Sequence, residues 1–150
     1  MTEYTMASPL GPLALTEADG KLTGLIFGGT VSEEAPPTPL LREAAAQLCA
    51  YFDGTLRGFH LPLSLGGTPF RHAVWEALLE IPYGETVSYG DIARRIGNPR
   101  AVRAVGQAVG CNPISIIVPC HRVIGSDGSL TGFGWGLSAK EFLLRLEGIL

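Results

Sequence analysis

The chain has 150 residues, 46% of them hydrophobic, and a formal net charge of −3, so it can bury about two-thirds of its unfolded surface without a stabilising disulfide or metal. Its three cysteines, Cys49, Cys111 and Cys120, show no CxxC or Cys/His spacing, which argues against a disulfide framework and a structural zinc site. Because there is no basic and apolar leader and no apolar run of about 18 residues, we expect a cytoplasmic protein without a membrane span, metal or cofactor.

The N-terminal region begins with the pattern of a β-hairpin. Apolar residues recur over Leu13–Thr16 and Leu22–Phe27, and Asp19-Gly20 between them supplies the positive φ angles of a tight turn. The glycines, acids and prolines of residues 28–37 predict an exposed loop. Residues 59–65 alternate weakly and predict a further strand, which would complete a three-stranded sheet.

A helix is predicted between the loop and that last strand. Thr38 is its N-cap, Pro39 is its first residue, and apolar residues recur at helical spacing until Gly54. The composition changes at Gly66-Gly67, so we expect an N-terminal α/β domain over residues 1–66 and a mostly helical domain over residues 67–150. The predicted fold class is α+β. The inward-facing residues of the helix are Leu41, Ala44, Leu48 and Phe52.

Three helices are predicted next, over residues 68–81, 88–96 and 98–109. The last two are short and are joined by a Gly-Asn-Pro turn, which is the sequence form of a helix-turn-helix. Cap residues mark where the three helices begin, namely Thr68, Ser88 with Asp91, and Asn98.

The basic residues of the chain concentrate in this helix pair. A solvated helix face would explain them, and so would the neutralisation of DNA phosphates. Arg103 lies about one residue off an apolar stripe and beside small residues, which would let the second helix approach DNA closely. The basic residues are Arg94, Arg95, Arg100 and Arg103, and the stripe is Val102, Val105 and Val109.

Cys120 differs from the other two cysteines in its neighbours. It follows a continuous apolar run over residues 114–118, which predicts a short buried strand or extended segment, and it precedes His121 and Arg122. Neighbouring His or Arg can lower a thiol pKa by one to several units. Cys49 is expected to be a buried structural residue of its helix, and Cys111 lies at a helix C-terminus, where the dipole disfavours a thiolate. On these grounds Cys120 is either reactive or structural.

The region after Cys120 holds two further candidate features. Adjacent side chains on an extended chain point to opposite faces, so His121 reaches Cys120 only through a turn or a water, and the alternative is a surface histidine. The last helix is predicted to begin with a capping box, Ser138 with Glu141, and to end near Glu147, where a carboxylate opposes the helix dipole. Glycines and aromatics alternate over residues 130–136, as in a lid or an ordinary loop.

Six motifs follow one another in the second half of the chain: Ile81-Pro82-Tyr83-Gly84-Glu85-Thr86, Ser88-Tyr89, Arg103-Ala104-Val105-Gly106, Asn112-Pro113, Pro119-Cys120-His121-Arg122-Val123 and Leu146-Glu147. In order and spacing they resemble the O6-alkylguanine-DNA alkyltransferase family over residues 68–150. The first domain resembles that family's small RNase H-like α/β domain in element order.

This resemblance implies DNA repair by a stoichiometric, irreversible transfer. Cys120 would accept an alkyl group from O6-alkylguanine, and from O4-alkylthymine, in double-stranded DNA. His121 would act through a water, Glu147 would orient His121, and Asn112 would brace the cysteine segment. Because a thioether is a poor leaving group, each molecule would react once. No obligatory protein partner is expected, and the protein would be monomeric.

The resemblance also implies how DNA is bound. The damaged nucleotide must leave the stack, Arg103 would fill the space, Tyr89 would help to rotate the nucleotide, and the second helix would enter the minor groove. The other implied DNA contacts are Arg100, Ala101, Ala104, Gly106 and Ser126. The implied substrate pocket comprises Val109, Val123, Phe133, Gly134 and Trp135.

The lid departs from the family pattern at three positions. Phe133 replaces a common tyrosine, Gly134 offers a backbone N–H without a side-chain hydroxyl, and Trp135 replaces a frequent glycine. Because of the bulk of Trp135, we expect poor acceptance of benzyl-type substrates.

Two other functions compete with repair. An alkyltransferase-like protein recognises lesions but typically lacks the acceptor cysteine, and a helix-turn-helix regulator would bind a specific sequence without forming a covalent product.

Overall fold

The computed structural model describes residues 1–130 and 132–150. The chain divides into an N-terminal unit, Met1–Leu65, and a C-terminal unit, Gly66–Leu150. The first unit therefore ends one residue before the boundary expected from composition.

The N-terminal unit contains an antiparallel sheet with the strand order β1-β2-β3. Asp19 and Gly20, with φ angles of 53° and 75°, form the turn between β2 and β3, so the predicted hairpin is confirmed. The third strand is β1 at the N-terminus, for which no prediction was made. The strands are β1 Thr2–Met6, β2 Leu13–Ala18 and β3 Lys21–Phe27.

The strand predicted over residues 59–65 is wrong. This segment meets the sheet at one isolated bridge between Leu22 and Leu63. The Leu22 amide donates to the carbonyl of Pro62 at 2.8 Å, and the Ser64 amide donates to the carbonyl of Leu22 at 2.9 Å. Pro62 has no N–H with which to extend a ladder, so the pairing does not propagate.

Helix α1, Pro39–Phe52, begins as its cap residues predict. The hydroxyl of Thr38 accepts a hydrogen bond from the Leu41 amide at 3.1 Å, which satisfies a donor of the first turn. The expectation that Cys49 is buried is wrong, because it lies on the exposed face of the helix. The buried face comprises Leu41, Ala44, Leu48 and Tyr51.

The C-terminal unit contains four helices and a two-stranded parallel sheet among its described residues. The predicted helix over residues 68–81 and the two short helices after it are present, and Trp75 Nε1 donates to the Ala108 carbonyl at 2.8 Å, which ties the first of them to the third. No helix in the described part of the chain is both long and apolar enough to cross a bilayer. The elements are α2 Pro69–Leu79, β4 Val87–Ser88, α3 Tyr89–Arg95, α4 Val102–Gly110, β5 Val123–Ile124 and α5 Leu137–Leu146.

Helix α4 begins later than predicted. Residues 98–101 instead form a turn in which the Ala101 amide donates to the Asn98 carbonyl at 3.0 Å. Val102 is the first residue of the helix and is 42% exposed, one turn before the packed face. That face comprises Val105, Ala108 and Val109.

The capping box predicted for α5 does not form. The helix begins at Leu137, directly after Gly136, and no side chain caps it. Gly136 has a φ of 95°, which favours glycine. Since this glycine ends the preceding loop, Ser138 falls inside the first helical turn and cannot act as the N-cap.

Candidate active site

The segment that leads to Cys120 is buried but is not a strand. The amide of Val118 donates to the Ile114 carbonyl at 2.9 Å and closes a turn. Asn112 holds both ends of this turn, because its Nδ2 donates to the Val118 carbonyl at 2.8 Å and its Oδ1 accepts from the Ile114 amide at 3.0 Å. The backbone of Ile116 has a φ of 72°, which reverses the chain and prevents the extended conformation that the apolar run predicted.

Residues Cys120–Arg122 form a single 3-10 turn. The Arg122 amide donates to the Pro119 carbonyl at 3.0 Å and closes it. Three residues per turn send the three side chains in different directions, yet all three are buried. Cys120 is 5% exposed and His121 is fully buried. The alternative of a surface histidine is therefore wrong.

Glu147, which follows α5, is the polar centre of the site. Its Oε2 receives a hydrogen bond from His121 Nε2 at 2.7 Å, and its Oε1 receives one from the Gly84 amide at 3.0 Å. Arg122 adds a two-pronged ion pair through Nε at 2.8 Å and Nη2 at 3.1 Å. All of these side chains are buried. One carboxylate thus joins the cysteine turn, the end of α5 and the loop before β4.

The environment of His121 favours a neutral ring. Burial lowers the pKa of His121, and the hydrogen bond and charge of Glu147 oppose that effect. A neutral imidazole that donates through Nε2 to the carboxylate carries its lone pair on Nδ1, which is also buried. His121 is therefore arranged to accept a proton at Nδ1.

The thiol of Cys120 is buried, and this burial affects its pKa more than its neighbours in sequence do. Burial raises the pKa of Cys120, and this effect is opposed by hydrogen bonds from the side chains of Asn112 and Ser115 and by the charge of Lys140. Burial therefore opposes the lowering of the pKa that the neighbouring His121 and Arg122 suggested.

Lys140 is a buried cation of α5 that the sequence analysis did not single out. Its Nζ donates to the Val123 carbonyl at 2.5 Å, which places the ammonium at the strand that follows the cysteine turn. Burial lowers the pKa of Lys140, and the charge of an ionised Cys120 raises it. Lys140 and Glu147 are seven residues apart, which is two helical turns, so a shared face of α5 was the available signal.

The residues predicted to contact DNA lie mainly on α4 and the turn before it. Arg103 is exposed in the first turn of the helix, and Gly106 follows one turn later. A Cβ on Gly106 would lie 3.9 Å from the Tyr89 ring, an ordinary van der Waals distance, so Tyr89 lies beside α4 at this glycine. Ser126 lies elsewhere, in an exposed turn after β5. The set on and before α4 is Arg100, Ala101, Arg103, Ala104 and Gly106.

The helix pair has less unpaired positive charge than its four arginines suggested. Arg94 pairs with Asp91 on α3, and Arg95 pairs with Glu80 at 3.4 Å. These pairs offset two of the four positive charges, as expected of a solvated helix face.

The residues implied to line the substrate pocket differ in burial: two are buried in the core, and three are half-buried or exposed. Val109 and Val123 belong to the core, with 4% and 0% exposure. Phe133 and Trp135 are half-buried, and their ring centroids are 6.0 Å apart at an angle of 55°. Gly134 between them is exposed. Thr131, which is part of the predicted lid, lies outside the described residues.

Two family models together cover nearly the whole chain. Residues 1–65 match the 6-O-methylguanine DNA methyltransferase ribonuclease-like domain, and residues 69–149 match the DNA binding domain of the same family. The chain belongs to the 6-O-methylguanine DNA methyltransferase family. The expected resemblance and the two-part α+β fold are thereby confirmed.

Individual relatives agree with this membership. A methylated-DNA--protein-cysteine methyltransferase of Methanosarcina acetivorans is 52% identical over 147 residues, which are 94% of each chain. The crystal structure of Mycobacterium tuberculosis OGT in complex with DNA is 52% identical, has a TM-score of 0.89, and matches 97% of this chain and 91% of its own. S. pombe Atl1 in complex with DNA containing O6-carboxymethylguanine is 37% identical over 56% of this chain and 80% of its own, with a TM-score of 0.50.

The residues of the family motifs make up only part of the folded site. Within this methyltransferase chain the fold brings together three of the residues singled out in sequence, Cys120, His121 and Glu147, with Asn112 bracing the turn before them. It adds Ser115 and Lys140, two buried polar side chains that no motif indicated and that both lower the pKa of Cys120. Ser115 lies inside an apolar run, whereas Lys140 stands beside Glu141 on α5 like an ordinary exposed residue, so only their burial identifies them.

Proposed function

We propose that this protein repairs alkylated DNA by moving an alkyl group from the O6 atom of guanine to the sulfur of Cys120. The same chemistry extends to O4-alkylthymine. The observation that carries the proposal is the buried His121–Glu147 hydrogen bond of 2.7 Å beside a buried cysteine. Such a pair resembles the base and orienting carboxylate of a hydrolytic triad.

The proton of the thiol is proposed to leave by way of His121. Glu147 holds the Nε2–H tautomer, which directs the basic Nδ1 atom to accept the proton through a water. Burial disfavours the charged imidazolium, and the carboxylate of Glu147 offsets part of that cost. Glu147 also neutralises Arg122, so its own charge is balanced while His121 is neutral.

The transfer forms one bond and breaks one bond. The ionised sulfur attacks the alkyl carbon, the bond between that carbon and O6 breaks, and the oxygen leaves with the electron pair. The guanine then takes up one proton, which balances the proton lost by Cys120. The product thioether is a poor leaving group toward water, so the sulfur is not regenerated and each molecule reacts once.

The exposed face of α4 is proposed to bind the minor groove of double-stranded DNA. A base inside the duplex cannot present its O6 substituent to a buried sulfur, so the nucleotide is extruded at a cost of a few kcal/mol. Arg103 would occupy the vacated space and Tyr89 would contact the rotated nucleotide. Small residues on α4 and directly before it, namely Ala101, Ala104 and Gly106, allow the close approach, and Arg100 and Ser126 would contact the backbone.

The pocket for the extruded base is proposed to be lined by Val109, Val123 and the lid residues Phe133, Gly134 and Trp135. Trp135 is expected to disfavour large alkyl groups through its bulk. We predict that Trp135→Gly reacts about tenfold faster with O6-benzylguanine, since about 1.4 kcal/mol of crowding corresponds to a factor of ten. Equal rates in the two proteins, measured by loss of the free base, would contradict this.

The protein is proposed to act in the cytoplasm, as a monomer and without a cofactor. Its cysteines are unpaired with one another, and two of them, Cys49 and Cys111, are exposed. Exposed free thiols are compatible with a reducing compartment.

Mass spectrometry of the intact protein tests the proposed transfer. After incubation with a duplex carrying O6-methylguanine, the protein should gain about 14 Da, the mass of one methyl group replacing a proton. Cys120→Ala should abolish the gain, whereas the control variants Cys49→Ala and Cys111→Ala should retain it. If the protein binds the lesion but gains no mass, it is a lesion-recognition protein. If it binds one undamaged sequence and gains no mass, it is a helix-turn-helix regulator.

A further inference from the structure

The guanidinium of Arg122 is anchored to the segment between α2 and β4. Its Nη1 donates to the carbonyl of Ile81 at 2.7 Å, and its Cζ lies 5.7 Å from the centre of the Tyr83 ring. A guanidinium over an aromatic ring is attracted to it, and the attraction grows where water is excluded. The side chain of Arg122 is only 8% exposed. These contacts fix Arg122 independently of its ion pair with Glu147.

The anchored guanidinium engages both oxygens of Glu147. Its Nε bonds to Oε1 at 2.8 Å and its Nη2 bonds to Oε2 at 3.1 Å, so both bonds of the arginine fork are formed. The Gly84 amide also donates to Oε1, at 3.0 Å, whereas Oε2 also accepts from His121 Nε2, at 2.7 Å. A glutamate side chain can rotate about three bonds, and the fork restricts that rotation. Arg122 thereby keeps Oε2 directed at the imidazole.

The positive charge of Arg122 also acts on His121. The charged groups that face the imidazole are Glu147 and Lys140 from α5 and Arg122 from its own turn. Burial lowers the pKa of His121 most, Glu147 raises it, and Arg122 and Lys140 lower it. An imidazole that already carries two protons cannot accept another from a thiol. Without Arg122 the charge of Glu147 would be uncompensated and would favour that doubly protonated ring.

We propose that Arg122 is a positioning residue, which clamps Glu147 in the orientation that receives His121 and balances its charge, so that His121 stays neutral until it takes the proton of Cys120. This role rests on the proposed methyl transfer, in which His121 is the base. It uses two separable properties of the guanidinium, its forked shape and its positive charge. Lysine retains the charge without the fork, and glutamine retains neither.

The charge is tested by the protonation of His121, which can be measured without DNA. The ring signals of the histidines are followed by NMR between about pH 5 and 8. In Arg122→Gln the His121 signals should begin to titrate about one pH unit above those of wild type, whereas in Arg122→Lys they should titrate as in wild type. His60 and His72 are exposed and serve as internal controls, so their titrations should be the same in every variant.

The fork is tested by the rate of methyl transfer from a duplex carrying O6-methylguanine. Arg122→Lys should be about tenfold slower than wild type at a pH where His121 is neutral in both, because one ammonium cannot hold both oxygens. Arg122→Gln should be slower still at neutral pH and should recover part of the loss as the pH rises. Arg145→Gln is the matched control, because Arg145 also pairs with a glutamate of α5 but is exposed. Its rate and its His121 titration should equal those of wild type.

Each outcome decides the role of Arg122. A His121 titration in Arg122→Gln equal to that of wild type overturns the role of the charge, and a wild-type rate in Arg122→Lys overturns the clamp. If Arg122→Gln does not fold, the rate of Arg122→Lys decides, because that variant keeps the buried pair charged. If wild type accepts no methyl group, the proposed function fails. The NMR titration would still show whether Arg122 keeps His121 neutral.

Discussion

The two units of this chain bury different kinds of side chain. Among the described residues, the N-terminal unit buries one polar side chain, Thr5 of β1, and its other buried side chains are hydrophobic, most of them leucines. The C-terminal unit buries five polar or charged side chains, which are Ser115, His121, Arg122, Lys140 and Glu147. Removing a charge from water costs several kcal/mol even after relaxation, so a cluster of this kind is weak evidence for stability.

The N-terminal unit is therefore held together by apolar packing. The C-terminal unit contains a buried polar site that lowers its stability. His121 and Arg122 belong to the turn that carries Cys120, Glu147 bonds to both of them, and Lys140 bonds to Val123, which directly follows the turn. Changes in this cluster should therefore affect both stability and chemistry. Changes in the N-terminal unit should affect stability without affecting the chemistry. Changes on the exposed DNA-binding surface of the C-terminal unit should affect the reaction without affecting stability.

The largest effect is expected from Glu147→Gln. The change leaves Arg122 buried without its carboxylate, and breaking a buried pair in this way costs about 3–5 kcal/mol of the free energy of unfolding. Urea denaturation followed by circular dichroism measures this. Glu141→Gln on the same helix is the matched control, because its pair with Arg145 is exposed and should contribute at most about 1 kcal/mol. Equal losses in the two variants would contradict the contrast.

Arg103→Ala should change the reaction without changing the stability. Arg103 is exposed, and its proposed role is to offset part of the few kcal/mol needed to extrude a nucleotide, so methyl transfer from a duplex should slow by about 100-fold. Transfer from a single-stranded oligonucleotide should be nearly unaffected, because no base pair has to open. If both substrates slow equally, Arg103 has another role.

The buried histidine should make stability depend on pH. Burial holds the pKa of folded His121 below its ordinary value of 6.5, so below that pH the unfolded chain binds a proton that the folded one does not. Stability should fall as the pH decreases from 6.5, with a contribution of up to about 1.4 kcal/mol per pH unit. Urea denaturation between pH 5 and 7.5 measures the slope. His121→Gln should have a shallower slope, and a slope equal to that of wild type would assign the dependence to other groups.

The smallest effect is expected from Thr38→Ala in the N-terminal unit. Loss of this N-cap should reduce the free energy of unfolding by about 1 kcal/mol. The rate of methyl transfer should not change, because the proposed catalytic groups all belong to the C-terminal unit. Thr68→Ala is the matched control, since it removes the same threonine cap before a proline at the start of α2. A slower transfer in a folded Thr38→Ala protein would show that the two units are not functionally separate.

Local chemistry predicted much of this architecture from the sequence. Threonine followed by proline marked the starts of α1 and α2, Ser88 with Asp91 marked α3, and Asp19-Gly20 marked the hairpin. In each case the deciding interactions lie within a few residues. The strand over residues 59–65 depended on a distant partner, and it does not form. Two local predictions also failed, because α4 begins after Ala101 and α5 after Gly136, neither with a side-chain cap.

The site, too, was predicted from the sequence only in part. The sequence by itself determined which cysteine stands beside a histidine, and its order of motifs determined the family. Only the tertiary structure decided that Glu147 bonds to both His121 and Arg122, that Ser115 and Lys140 are buried, and that burial raises the pKa of Cys120. Desolvation depends on everything that surrounds a group. The neighbours of Cys120 along the chain are only two of the residues that enclose it, and they could not reveal the sign of that shift.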